Sequence, residues 1–441
     1  MADKSMIEKS KTVIKSLTNK IASFPCDVDP RVKAKEQQSL HLEQAFVEIE
    51  LEKDRLCAVV AKHEEQYPPH QVECPICLED VKVMSQYSIQ YFVCCGKSIC
   101  STCAQNRGAK EMKTCPMCRA PKITVWNERN IKRLKKGAAR GVAIAQSMLS
   151  GHYLGFLSPD NVATNIKEGV RLLQLAAESG EPISLTQLAH FHQMGLYGLE
   201  RSNEIANTML TTAANAGFCK AQSSLAFSYS AKEEYTMAVL YATLACRSTN
   251  HDTIHPAQLL GKFYYLGLGG LEKNLYLAKF YLEVSEKCSS GNMTNHVILA
   301  KTLLELSEKI YGTRHPPAGY SSIPRVLYLL SKSIDRDEDN PAAQELVKEL
   351  EIQNKCANCG REAESMPTKK LKQCAVCEAV SYCSRDCQVK HWKDGHKSDC
   401  VKKYRPVEGL ARIFPPGTNL ENATLIGPDG KLINMKNLMQ A

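Results

Sequence analysis

The chain has 441 residues, a formal net charge of +9, 44% hydrophobic and 23% charged residues, which is ordinary globular composition and length for two to four domains. No run of eighteen apolar residues occurs and the amino-terminal segment MADKSMIEKSKTVIKSL is polar, so a membrane span and a secretory leader are not expected. With aromatic residues at only 7%, the modest positive charge lacks the basic and aromatic interleaving of a nucleic-acid surface, and nucleic acid is disfavoured as a partner.

Residues 1–70 are expected to be mostly helical. Over 35–66, Leu42, Phe46, Ile49, Leu56 and Val60 fall at alternate spacings of four and three if Lys53 is counted as a skipped position. That pattern predicts one helix, packed on its own chain or, less readily, paired as a short coiled coil, until Tyr67, Pro68 and Pro69 stop it.

Twenty cysteines in a chain with no leader point to metal rather than disulfides, and hence to the reducing cytoplasm or nucleus. Eight of them lie at 74–118 and seven at 356–400. The remaining five, Cys26, Cys57, Cys219, Cys246 and Cys288, read as small buried apolar residues.

The first cluster runs Cys74-Pro-Ile-Cys77, Cys94-Cys95, Cys100, Cys103 and Cys115-Pro-Met-Cys118-Arg119. Over residues 72–121 it resembles a RING finger. The resemblance implies that Cys74, Cys77, Cys100 and Cys103 share one zinc, while Cys115 and Cys118 share a second with ligands from the middle segment. The position where that family usually carries histidine is Lys97, whose ammonium has no lone pair to donate. Adjacent Cys94 and Cys95 are the replacements at hand, as a pair or as Cys95 with some other group. In RING ubiquitin ligases an aliphatic residue, a proline and a cation dock the ubiquitin-conjugating enzyme, a positioning effect rather than covalent chemistry. Ile76, Pro116 and Arg119 occupy those places; they equally serve as knuckle-shaping residues and a solvated charge. The loop 104–114 lacks the bulky aromatic often found at the docking groove, and Trp126 falls outside it.

The basic run Lys132, Arg133, Lys135, Lys136 and Arg140 reads as a solvated helix start. From 138 to 350 there is almost no strand signal, and a helix-turn-helix phrase recurs: AAESG at 176–180 matches AANAG at 213–217, thirty-seven residues on. This stretch resembles the Sel1-like repeats, relatives of tetratricopeptide repeats, in four units plus a degenerate fifth. A stacked αα array with an extended protein-binding face is therefore expected. The unit near 219–247 lacks the glycine-rich turn, and RHPPAGYSSIP at 314–324 interrupts the last unit.

The second cluster is four chelating pairs, Cys356/Cys359, Cys374/Cys377, Cys383/Cys387 and His396/Cys400. Eight ligands make two closed tetrahedral zinc sites, and about 10–16 kcal/mol per structural zinc is enough to fold 45 residues that have too little apolar surface of their own. With Tyr382 ahead of a ligand cysteine and the His391-Trp392 pair, residues 356–400 resemble the MYND finger, a module that takes short proline-containing peptides. The resemblance implies that Cys356, Cys359, Cys383 and Cys387 hold one ion and Cys374, Cys377, His396 and Cys400 the other, with His391 beside a packed Trp392.

Residues 401–441 form a tail in which Pro415, Pro416 and a Pro-Asp-Gly turn at 428–430 suit either a hairpin or loose chain, and the sequons at Asn292 and Asn422 are read as chance matches. The expected molecule is mainly α, an αα-repeat solenoid flanked by two small zinc-stabilised modules holding about four structural zinc ions. Its expected role is a protein-interaction adaptor, either a RING-type ubiquitin ligase or a non-catalytic scaffold.

Overall fold

The computed structural model describes residues 4–25, 27–69, 71–82, 89–92, 94–95, 97–106, 114–121, 128–156, 165–246, 254–288, 296–335, 340–351, 355–363, 371–402, 424–426 and 432–434. Cys26, Trp126, Pro415, Pro416, the turn at 428–430, most of the 104–114 loop, and both sequons lie outside them. The chain divides into two compact units, Met1–Ala58 with Ala257–Ile413, and Val59–Pro256 with Phe414–Ala441.

The second of these units opens with the first cysteine cluster. Strands β1 (Gln71–Glu73) and β2 (Asp80–Lys82) pair antiparallel around the first knuckle, and β3 (Ile89–Phe92) pairs with β4 (Lys97–Cys100) before the short helix α3 (Ser101–Asn106). The module's small core is made largely of its own ligand candidates, Cys74, Cys100 and Cys115, together with Phe92, Ile99 and Ala104. Helix α4 (Glu128–Ala139) follows, and the basic run on and after it is only partly solvated. The Arg133 guanidinium donates to the Pro121 carbonyl, and that of Arg140 to the Cys94 carbonyl at 3.1 Å, which ties the helix to the cysteine module.

Helices α5 (Ala143–Tyr153), α6 (Ile166–Glu178), α7 (Pro182–Met194), α8 (Asn203–Asn215), α9 (Cys219–Ala231) and α10 (Tyr235–Ala245) then stack in sequence order. The recurring phrases explain themselves. Asn165 and Ser202 cap α6 and α8 by accepting from the Glu168 and Ile205 amides at 3.1 and 3.2 Å. Ala176, Ala177, Ala213 and Ala214 are buried in the last turns, where small side chains allow neighbouring helices to approach. Gly180 and Gly217 follow in the left-handed region, at φ 80° and 88°. The unit that lacks a glycine turn keeps the same bend by placing Glu233 at φ 63°. In the same unit, β7 (Thr424–Ile426) pairs antiparallel with β8 (Leu432–Asn434).

The other unit contains α1 (Lys4–Ala22), α2 (Pro30–Gln66) up to Ala58, and a second stack of α11 (Ile254–Leu266), α12 (Leu275–Cys288), α13 (His296–Tyr311), α14 (Ile323–Ile334) and α15 (Pro341–Glu351). Its core joins Leu282, Leu299, Leu304, Val326, Leu329 and Leu330. On α11, Gly261 sits where an added Cβ would stand 2.6 Å from Leu282 Cγ, so only glycine admits this close packing against α12. The carboxyl-terminal cysteine module consists of β5 (Lys372–Gln373), β6 (Ser381–Tyr382), α16 (Arg385–His391), a π-helical turn at Trp392–His396 and α17 (Lys397–Asp399).

Three expectations need correction. The apolar spacing of α2 holds only in part: Phe46, Ile49, Leu56 and Val60 are half-buried, but Leu42 is 60% exposed and the helix's fully buried residues are Ala34 and Glu52. Cys57 is exposed and Cys246 half-buried, so of the scattered cysteines whose burial is described only Cys219 is a buried apolar residue. Trp392 is 37% exposed rather than packed, its ring edge-on to His396 at 5.8 Å.

Candidate metal centres and the surfaces beside them

Four Cys-x2-Cys turns share one backbone form. In each, the residue after the second cysteine donates its amide to the carbonyl of the first: Leu78 to Cys74 (2.8 Å), Arg119 to Cys115 (2.9 Å), Gly360 to Cys356 (2.8 Å) and Glu378 to Cys374 (2.9 Å). All four of those residues have positive φ, at 61°, 57°, 71° and 53°. The amide of each first cysteine in turn bonds the carbonyl beyond the turn, at Glu79, Ala120, Arg361 and Val380. Each turn is bracketed by antiparallel pairing, through β1–β2, Thr114 with Pro121, Lys355 with Glu362, and β5–β6. The result aims two sulfurs and several N–H groups at one point.

That arrangement brings sixteen donor atoms into four groups, each with its atoms within 4.8 Å of one another: Cys74, Cys77, Cys100 and Cys103; Cys94, Cys95, Cys115 and Cys118; Cys356, Cys359, Cys383 and Cys387; Cys374, Cys377, His396 and Cys400. Sulfurs about 2.3 Å from a central zinc in a tetrahedron stand about 3.8 Å apart. The separations are of that size: Cys77 to Cys100 3.9 Å, Cys95 to Cys115 3.7 Å, Cys94 to Cys118 3.4 Å, Cys359 to Cys383 3.6 Å and Cys374 to Cys400 3.9 Å. His396 Nε2 stands 3.6 Å from Cys377 Sγ. They are far longer than a disulfide of about 2.05 Å, and none of these donor cysteines is disulfide-bonded. The donor sets therefore fit structural zinc, with four protein ligands and no open position.

Local electrostatics divide the thiols: Cys74, Cys118, Cys356, Cys374 and Cys387 are shifted down towards the thiolate, while burial and neighbouring sulfurs shift Cys77, Cys94, Cys95, Cys103, Cys377, Cys383 and Cys400 up. Burial alone would push the Cys74 thiol up, but the amides of Cys100, Cys77 and Ile76 point at its sulfur and bring it down to about 6. Cys356 behaves the same way, burial being outweighed by the amides of Cys383, Cys359 and Asn358, and ends at about 6. Burial and the neighbouring His391 lower His396 to about 4, which keeps the imidazole neutral and its lone pair available. His391 is directed elsewhere, its Nδ1 lying 3.0 Å from the Tyr382 hydroxyl and its ring stacked on His396 at 5.1 Å.

Lys97 is exposed at the start of β4, while both members of the vicinal pair Cys94–Cys95 point into one group. Ile76 and Pro116 are half-buried on their knuckles and Arg119 is exposed. Beside them the left-handed turn lifts Leu78 to 73% exposure. Nothing in the sequence marked Leu78 as a surface residue, because its position follows from the turn and not from its type. On the carboxyl-terminal module Val376, Val389 and Trp392 are exposed large apolar side chains.

That module is seated on the interrupted repeat. Asp399 accepts from the amides of Gly319 at 2.7 Å and Ser321 at 3.2 Å, and Asp394 pairs with Arg31 at the start of α2. The segment at 314–324 that breaks the repeat pattern is thus a binding seat for the finger. Sequence reasoning missed Gly395, Asp399 and Arg31. The usable signal was the coincidence of a non-repeat insert with a glycine between metal-ligand candidates.

A MYND finger family model matches residues 356–400, and a Sel1 repeat model matches 143–181, 182–218 and 257–285. The matched repeats omit the unit whose turn is made by Glu233. Among curated proteins, an F-box protein of Arabidopsis thaliana is 44% identical over 52 residues, 12% of this chain and 13% of that protein. A zinc finger MYND domain-containing protein 10 homolog of Drosophila melanogaster is 47% identical over 47 residues, 11% and 9% of the two chains, and deformed epidermal autoregulatory factor 1 of the same species 35% over 68 residues, 15% and 10%. The chain spans about a tenth of the length of these relatives. Among solved structures, a Sel1 repeat protein of Oxalobacter formigenes matches with TM-score 0.34 and 18% identity, covering 50% of this chain and 77% of that one. A protective antigen of uropathogenic Escherichia coli with an SLR fold matches with TM-score 0.38 and 15% identity, covering 64% and 53%.

The chain is mainly helical, carries Sel1 repeats and a carboxyl-terminal MYND finger, and has cysteine clusters suited to zinc at either side of the repeats in sequence. Those modules define a zinc-binding protein-interaction adaptor.

Proposed function

We propose that this adaptor is a RING-type ubiquitin ligase whose first cysteine module recruits a ubiquitin-conjugating enzyme while the repeats and the MYND finger select what is modified. The observation that carries the reading is that two knuckles of like backbone form bear half-buried Ile76 with exposed Leu78 on the one and half-buried Pro116 with exposed Arg119 on the other. All eight metal donors of that module, Cys74, Cys77, Cys94, Cys95, Cys100, Cys103, Cys115 and Cys118, act as structural ligands and none as a nucleophile. Thioester chemistry belongs to the bound conjugating enzyme, and the module supplies orientation. Thiolate ligands call for a reducing compartment, so the cytoplasm or nucleus is the proposed site of action; no helix among the described residues is long and apolar enough to cross a membrane.

Autoubiquitination by the zinc-loaded full chain with a panel of conjugating enzymes tests this. Chains should form with at least one enzyme and be lost in Arg119→Ala and Ile76→Ala without loss of zinc. Failure with every enzyme would remove the ligase and leave the second reading, a scaffold. That reading is favoured by the MYND finger's exposed Val376, Val389 and Trp392, which suit capture of a proline-containing peptide of a partner protein.

A further inference from the structure

Helix α4 lies between the first cysteine module and the repeats and is fixed to both. Towards the repeats it is apolar: Leu134 and Ala138 join Ala145, Leu149 and Leu172 in one core, and Gln146 Nε2 donates to the Ala138 carbonyl at 3.2 Å. Towards the module it is cationic. The Arg133 guanidinium donates to the Pro121 carbonyl and to Asn130 Oδ1, the latter at 3.2 Å. Arg140 donates to the Cys94 carbonyl at 3.1 Å and, through Nε, to the Lys136 carbonyl at 3.3 Å. Every one of those acceptors is an uncharged oxygen, so the bonds leave both positive charges in place.

The two targets in the module are the two halves of one donor group. Pro121 pairs with Thr114 in the bridge that closes the Cys115/Cys118 turn, and Cys94 opens the vicinal pair. The halves meet through their sulfurs, Cys94 to Cys118 at 3.4 Å and Cys95 to Cys115 at 3.7 Å. Arg133 and Arg140 are seven residues apart, about two helical turns or 10 Å, so α4 spans the group with one arginine on each half. The vicinal half has particular need of this. The Cys94 carbonyl belongs to the peptide plane between the two cysteines, and fixing that plane fixes how their side chains stand to each other. Charge adds to geometry: a divalent ion with four thiolates leaves two net negative charges, one more than with three thiolates and an imidazole, and guanidinium groups bonded to the backbone behind the ligands oppose that excess. The first donor group is supported from within its own module, where the amides of Cys100 and Cys103 donate to the sulfurs of Cys74 and Cys100 at 3.3 and 3.2 Å.

We propose that Arg133 and Arg140 are positioning residues of the second donor group, so that zinc held by Cys94, Cys95, Cys115 and Cys118 depends on a bracket rooted in the repeats. The cysteine module is then not autonomous. Its second metal and the first repeat helices form one thermodynamic unit, and whatever displaces α4 loosens that ion alone. The inference uses only the donor geometry and stands independently of ubiquitin transfer.

Competition for zinc by a chromogenic chelator, on the zinc-loaded full chain, tests this. In Arg140→Ala and in Arg133→Ala, one ion of the four should be lost at a chelator concentration at least tenfold lower than in wild type, the size usual for removing a hydrogen bond behind a metal ligand, while the other three are retained as in wild type. Arg140→Lys, which keeps the charge and a donor, should recover part of that difference. Lys132→Ala/Lys136→Ala removes charge from exposed positions of the same helix and should retain zinc as wild type does. In Cys94→Ala, where that ion is already loosened, adding Arg140→Ala should change nothing further. Wild-type retention in both arginine variants, no recovery in Arg140→Lys, equal loss in the lysine control, loosening of more than one ion, or a further loss on top of Cys94→Ala would each overturn the proposal.

Discussion

Gly395 backs directly onto Gly319. A Cβ on Gly395 would stand 2.6 Å from the Gly319 Cα and amide nitrogen and equally close to the Ala318 carbonyl oxygen, and Gly395 itself has φ 135°. The contact lies between two ligand candidates of the finger and the insert of the last repeat, so it couples the metal module to the scaffold without touching a metal donor.

Gly395→Ala should therefore cost about 1–3 kcal/mol from backbone strain alone, before any displacement of the insert. Asp399→Ala removes the acceptor for the Gly319 and Ser321 amides and should cost a further amount of about 1–3 kcal/mol. Because both act on one seat, the double variant should lose less than the sum. Thermal melting alongside zinc analysis checks this: stability falls while metal content stays at the wild-type value.

Elemental analysis should find four zinc ions per chain, one for each donor group. Cys94→Ala should lower the count towards three, whereas Lys97→His should leave it at four, since Lys97 is exposed and the vicinal cysteines already complete the group. Chelation should unfold both cysteine modules yet preserve most of the far-ultraviolet helical signal, because the repeat stacks are held by Leu and Ala burial rather than by metal.

Glu233 performs a glycine's role at φ 63° in the turn between α9 and α10. A left-handed non-glycine residue costs about 1–2 kcal/mol, and glycine gives back about 0.5–1 kcal/mol through its freedom in the unfolded chain. Glu233→Gly should accordingly raise stability by up to about 1.5 kcal/mol, read as a higher melting temperature. Glu233→Val should lower it.

What could be read beforehand followed from how local each signal is. Metal pairs declare themselves because two or three intervening residues fix the chelate, and AAESG with AANAG declares a repeat because the same last turn and left-handed glycine serve both units. The seat for the finger did not, since Asp399 meets Gly319 across eighty residues of chain. Helix α2 was legible only in part: Phe46, Ile49, Leu56 and Val60 are half-buried as their spacing implies, whereas the four-residue stripe of Gln44, Glu48 and Glu52 looks like any solvated face until Tyr276, Asn274 and Tyr281 are placed opposite it.

His41 should make the same helix sensitive to acid. Burial, with Lys279 and Lys309 facing the ring from α12 and α13, lowers it from 6.5 to about 4, and its buried Nδ1 has no hydrogen-bond partner. The unfolded chain takes up a proton as pH falls below 6.5 while the folded chain does not, so unfolding is favoured progressively between pH 6.5 and about 4. Stability from this group is complete above pH 6.5, drains away through that window by about 3 kcal/mol at most, and is flat below it. Denaturant melts at pH 7.5 and 5 should differ accordingly, and His41→Gln should flatten the difference. If the variant keeps the full wild-type slope, the acid sensitivity lies with another group and His41 is not the residue that titrates against α12 and α13.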